Sequence, residues 1–194
     1  MKTTLKPALL PLALKSFALL GLLSLPGACR GPGITLPRST DPDLNKVRFS
    51  QVVDASANTN DFTAGLVAAS LANAPVQDYL TINASPATSD ATRLVSVVLR
   101  APAGTIKVGA SFPLGNAAVG VASAVYRETV SILVSQAYQA SAGTLEINAI
   151  GGSLTNPEVE FHLKDAKMEP LPTDQAEPSK GSFVLNLHGQ PTIN

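Results

Sequence analysis

The sequence predicts an all-β fold: a single antiparallel β-sandwich or partly open barrel of about eight to ten strands. It follows a signal peptide and a Pro/Gly-rich tether. Three observations carry this. From Lys46 onward, apolar residues recur with a period of two, not with the 3.6 of a helix. The runs are rich in Val, Ile, Leu, Thr and Phe, residues that suit a pleated, half-buried surface. Gly, Pro, Asn, Asp and Ser punctuate them at short intervals.

The N-terminus obeys different rules. Lys2, Lys6 and Lys15 are its only charges, and Ser16 to Leu25 runs without any. A basic region, a short apolar region and small residues before a cut make an export signal. A spanning helix needs about 20 apolar residues, roughly twice the length of this run. Residues 1–28 are therefore expected to be a signal peptide cut after Ala28. No twin arginine precedes the apolar run. Cys29, the single cysteine of the chain, follows the cut. It cannot form an internal disulfide, and exported domains that use cysteines structurally pair them.

The segment Leu25-Pro-Gly-Ala-Cys29 resembles a bacterial lipobox, with Gly27 and Ala28 as the small residues before the cysteine. Pro26 departs from that pattern, which usually has Leu, Val or Ile there. The resemblance implies a Cys29 carrying diacylglycerol and an N-acyl chain such as palmitate. It places the protein outside the cytoplasm, in the bacterial envelope and anchored to a membrane. Two or more chains anchor stably where a single one does so only marginally. The alternative is a secreted soluble protein with one free thiol.

Residues 29–45 contain Gly31-Pro-Gly33, Pro37 and Pro42 and are expected to be an extended, flexible tether. The domain is then 46–194. Removing the three signal-peptide lysines leaves 11 basic against 14 acidic residues, a net charge of −3. No run of Lys or Arg exists, so a nucleic-acid footprint is not expected.

Strand by strand, the expected elements are Lys46 to Val53, Phe62 to Ser70, Tyr79 to Asn83, Arg93 to Arg100, Thr105 to Pro113, one or two between Val119 and Tyr138, Thr144 to Ile150, Glu158 to Lys164, and Ser182 to His188. Ala64 to Ala74 and Val119 to Ala140 also admit a helix, but their Val and Thr favour strand. In Glu158 to Lys164, Val159, Phe161 and Leu163 point inward, while Glu158, Glu160, His162 and Lys164 point to solvent. Phe183, Leu185 and Leu187 point inward, as do Leu145, Ile147 and Ala149. Arg93 to Arg100 is apolar on both faces, as a central strand is. Turns are expected at 54–61, Ser85-Pro86, Ala101 to Gly104, Gly115-Asn116, Ser141-Ala-Gly143, Gly151-Gly152 and Pro170 to Gly181.

Several of these elements resemble a group of uncharacterised bacterial lipoproteins with a small all-β domain. They include Phe62-Thr-Ala64, Leu80 to Ala84, Phe112-Pro-Leu-Gly115, Ser141-Ala-Gly-Thr-Leu-Glu-Ile147 and Gly181-Ser-Phe183. The resemblance spans about 47–187 and rests on structural glycines and core positions. It implies a β-sandwich-like fold and transfers no catalytic residue.

No site residue beyond Cys29 and Ala28 is assigned, and no metal or cofactor is expected. His162 and His188, the only histidines, sit with Glu160 on outward faces. Zinc takes such ligands, but no close spacing fixes a site, and surface imidazoles are the simpler reading. Asp54, Ser56, Asn58, Asn60 and Asp61 offer oxygens, yet without the glycine and distant glutamate of a calcium loop. There is no Gly-x-Ser-x-Gly elbow. Glu158, Glu160 and Asp165 alternate with apolar residues as a solvated strand face does. The chain has no Trp and three Tyr, little for sugar stacking. Asn83-Ala-Ser85 matches a glycosylation acceptor, relevant only in a glycosylating host. The expected function is a non-enzymatic, membrane-anchored structural module or one that binds an envelope protein. The alternative is a lipocalin-like binder of a small apolar ligand, with small inward residues at Gly109 to Ser111 and Ala117 to Ala124 leaving the room.

Overall fold

The computed structural model describes residues 35–87, 93–131, 134–153, 156–171 and 179–191. The expected signal peptide and its cut site, Ala28 and Cys29, lie outside them. The described residues contain no helix. Ten strands form among the described residues: β1 Lys46–Val53, β2 Phe62–Thr63, β3 Leu66–Asn73, β4 Gln77–Ser85, β5 Arg93–Pro102, β6 Ser111–Pro113, β7 Ala122–Ser131, β8 Val134–Ser153, β9 Asn156–Pro170 and β10 Ser182–Gly189. They make one antiparallel sheet in the order β2-β1-β10-β9-β8-β7-β5-β4-β3, with β6 paired to β8. The sheet curls into a half-barrel, and β3 comes back against β9 although the two lie five places apart in the order.

The inner face is the core. Val47, Leu80, Ile82, Val95, Val97, Leu99, Leu145, Ile147, Val159, Phe161, Leu163, Leu185 and Leu187 are all buried. Phe183 sits at the centre of an aromatic group, 4.8 Å from Tyr138, 5.3 Å from Phe49 and 5.7 Å from Tyr126, ring centre to ring centre. The Tyr126 contact is edge-to-face, which suits the quadrupoles of the two rings.

The period of two survives only because bulges reset it. On β8, Tyr138 and Ala140 face inward, and so do Leu145 and Ile147. Even and odd positions cannot share a face without an extra residue between them. The register against β9 slips between Ala140 and Ala142 and again between Ala142 and Thr144. Ser141-Ala-Gly143, expected to be a turn, is instead this bulged stretch inside one 20-residue strand. Gly143 makes it possible: its φ is +116°, and a Cβ there would stand 2.6 Å from the Asp165 carbonyl oxygen. A further slip between Ile147 and Ala149 turns Ile150 toward the core, where Ala149 was expected. On β9 the same device sits at Lys164-Asp165, which together oppose Asn186. Asp165 takes a φ of 48°, and its N–H donates to the Asn186 side chain at 2.8 Å. Leu163 and Ala166 are both buried as a result.

Two expected strands are broken. Of Thr105 to Pro113 only β6 remains, because turns closed by Thr105 N–H to Pro102 and Ala110 N–H to Lys107 occupy the rest. Phe62 to Ser70 splits at Ala64-Gly65: Phe62-Thr63 pairs with β1, a register that Ala64 N–H extends to the Asn45 carbonyl, whereas Leu66 onward pairs with β4. Within the two stretches that also admitted a helix, the described residues form strand over Leu66–Asn73, Ala122–Ser131 and from Val134 onward.

Part of the expected tether is not loose. Leu36 N–H donates to Glu158, Ser39 N–H to the Gln190 side-chain oxygen, and the Gln190 amide back to the Pro37 carbonyl. Asn45 N–H donates to the His188 carbonyl at 2.6 Å, and Leu44 bridges His188 in parallel. Residues 35–45 therefore lie along the end of β10. Prolines did not prevent this, since the bonds come from non-proline N–H groups and from a proline carbonyl. Glu158, expected on the solvent face, is buried because this segment covers it.

Candidate functional site

His162 on β9 and His188 on β10 are register partners across the two strands. Cross-strand partners on one face sit side by side, and the rings meet edge-on with centres 3.9 Å apart. Glu160, two positions before His162 and on the same face, reaches diagonally to His188, with Oε1 2.8 Å from Nε2. The docked N-terminal segment supplies the last member: Asp41 Oδ2 is 2.6 Å from His188 Nδ1. The His188 side chain is only 10 % exposed, so the strand face on which it was expected to be solvated is covered. Both its nitrogens are engaged by carboxylates, which leaves neither facing a serine hydroxyl as a Ser-His-Asp arrangement requires.

The electrostatics follow from this packing. Asp41 is held below the usual carboxylate range, first by the Asp43 N–H that donates to its Oδ1 at 2.8 Å, then by His188. His162 is pushed below the ordinary imidazole value, first by burial, then by the neighbouring His188 and Lys164. Lys164 is paired with Glu146 at 2.6 Å, and Arg48 is paired with Asp43. A groove of about 370 Å³ opens beside the cluster, lined by Asp43, Arg48, His162, Lys164, Asp165 and Asn186 among others.

The structure thus brings together His162, His188 and Glu160, which the sequence placed on outward strand faces. It adds Asp41, which the sequence placed in the tether. Nothing in local spacing signals Asp41, 121 positions from His162 in the chain. Glu158 and Asp165 do not join: Glu158 holds Leu36 N–H and Asp165 sits at the bulge.

The oxygen-rich loop 54–61 is used internally. Asn58 N–H and the Tyr126 hydroxyl both donate to Glu128 Oε2. Asn58 Oδ1 accepts from Asn60 N–H, and Asp61 Oδ1 from Phe49 N–H. Tyr138 fixes the neighbouring turn, accepting from Ala57 N–H at 3.2 Å, donating to the Lys180 carbonyl at 2.9 Å and lying 3.0 Å from Ser56 Oγ. These bonds hold the loop to the half-barrel. Compared with protein-family models, curated proteins and solved structures, the chain matches none of them.

Proposed function

We propose that the chain is an exported lipoprotein, anchored in a membrane of the cell envelope through Cys29, whose half-barrel is a non-enzymatic structural or partner-binding module. The observation that carries the reading is the order of parts at the N-terminus: three lysines, an uncharged apolar run, Gly27-Ala28 and the chain's single cysteine. The docking of residues 35–45 supports it. The chain leaves the domain from the side where this segment lies against β10, so the domain is carried only a few residues from its anchor.

Two features support a module without chemistry of its own. Tyr126, Tyr138, Phe161 and Phe183 are fully buried in the interior, with the tyrosines packed on Phe183 and Phe161 lying opposite Gly189 toward the other end of β10. The polar groups of the two tyrosines are spent on holding loop 54–61. The packed aromatic interior weighs against the alternative of a lipocalin-like cavity, which needs an enclosed space of several hundred Å³, on the order of 300 or more. Metabolic labelling with a fatty acid tests the proposal. Wild type incorporates label and Cys29→Ser does not; equal labelling of both would sink it.

A further inference from the structure

We propose that Asp41, His162 and His188 form a binding site for a divalent transition cation of the zinc class, with Glu160 supporting His188 from behind. One ligand atom from each of the three residues lies within 4.8 Å of the other two. Two imidazoles and a carboxylate are the donors that zinc and its neighbours take; calcium and magnesium prefer oxygen throughout.

The arrangement has the second layer that such sites require. A metal-bound histidine ordinarily donates its other ring N–H to a carboxylate, which fixes the tautomer. His188 meets this condition, with Nε2 against Glu160 and Nδ1 left toward Asp41. Asp41 is oriented too, since Asp43 N–H occupies Oδ1 and leaves Oδ2 directed at the ring. His162 makes no hydrogen bond to a described residue and contacts His188 through its ring edge, so its nitrogens are free to ligate. The pairing of β9 with β10 sets the spacing of the two histidines. The nearby cations are held by carboxylates outside the site, Lys164 by Glu146 and both Arg48 and Lys46 by Asp43. A fourth position opens on the groove beside the cluster.

The proton of a 2.6 Å hydrogen bond joins Asp41 Oδ2 and His188 Nδ1. A bound ion replaces that proton, and bonds of about 2.0–2.1 Å in tetrahedral array set neighbouring ligand atoms roughly 3.3 Å apart. Asp41 lies on the N-terminal segment and not in the sheet, so it is the ligand that moves. The ion would join this segment to β9 and β10, fixing where the chain leaves the domain toward its N-terminus.

The test uses the full chain purified in detergent, stripped with EDTA and dialysed. Calorimetry with ZnCl2 is expected to show one equivalent bound at micromolar concentration. CoCl2 should give the intense visible bands of a four-coordinate site. His162→Ala and Asp41→Asn each weaken zinc binding by about 100-fold or more. Glu160→Gln weakens it by about 10- to 100-fold while keeping the cobalt bands, because it removes support and not a ligand. Circular dichroism of each ion-free variant checks folding, and His162→Gln replaces His162→Ala if the latter does not fold. Absence of stoichiometric uptake by wild type would overturn the proposal. So would wild-type affinity in the folded His162 variant.

Discussion

Removing one oxygen atom, in Tyr138→Phe, tests how the half-barrel holds loop 54–61. The ring itself is buried against Phe183 at 4.8 Å, and the substitution leaves that packing in place. Only the hydroxyl is lost, and its three partners do not suffer equally. Lys180 is exposed, so water can take over its carbonyl. Ser56 keeps Lys180 N–H as a donor to its Oγ at 3.1 Å. Ala57 is 8 % exposed, and its N–H donates to nothing else described. The cost therefore concentrates on one buried, unpaired donor, about 1–3 kcal/mol. Taking about 2 kcal/mol, the melting temperature falls by roughly 4–8 °C for a domain of this size. Urea unfolding of the full chain measures the change as a shift in midpoint at unchanged slope. A loss below about 0.5 kcal/mol, the scale of an ordinary surface substitution, would refute the reasoning: the hydroxyl would then not be what pins residues 56–57.

Three further outcomes follow from the same contacts. Tyr126 has its phenol pushed well above the ordinary tyrosine value, first by burial and then by Glu128. A raised folded value means that ionisation favours the unfolded chain, so stability is intact below pH 10 and falls as pH rises beyond it. Unfolding midpoints measured across that range should fall less steeply in Tyr126→Phe, and equal slopes would contradict the assignment. Gly143→Ala and Gly104→Ala both place a Cβ at positive φ, but Gly104 has nothing within 4 Å, whereas Gly143 meets the backbone of residues 164–166 at 2.6–2.8 Å. The first should cost about 3 kcal/mol or more and the second about 1 kcal/mol in thermal melts; equal losses would mean that the bulge can open without penalty. Phe183→Ala removes the centre of the aromatic group and should cost about 3–5 kcal/mol, read from the same urea curves.

The fold was legible where alternation is local. Ser182 to His188 appears in place because inward and outward residues alternate along it without interruption, and so does the start of Lys46 to Val53, ahead of its own bulge between Ser50 and Val53. Legibility failed where the period is reset. Ser141-Ala-Gly143 has the composition of a turn, and only its partner strand shows that the glycine serves close backbone approach. Ile150 replaces Ala149 in the core for the same reason, since a bulge is a property of two strands and not of one. The His162–His188 pair was visible as two outward positions, but their partnership depends on strand order. Asp41 could not be found at all, because prolines in 36–42 read as a linker while the bonds that dock it lie on β9 and β10.

The most direct test of the central claim is mass spectrometry of the N-terminal peptide of the protein recovered from the membrane fraction. The expected mature chain starts at Cys29 and carries a diacylglycerol on the thiol and an acyl chain on the amine. An unmodified Cys29, or a mature N-terminus at any other residue, would contradict it.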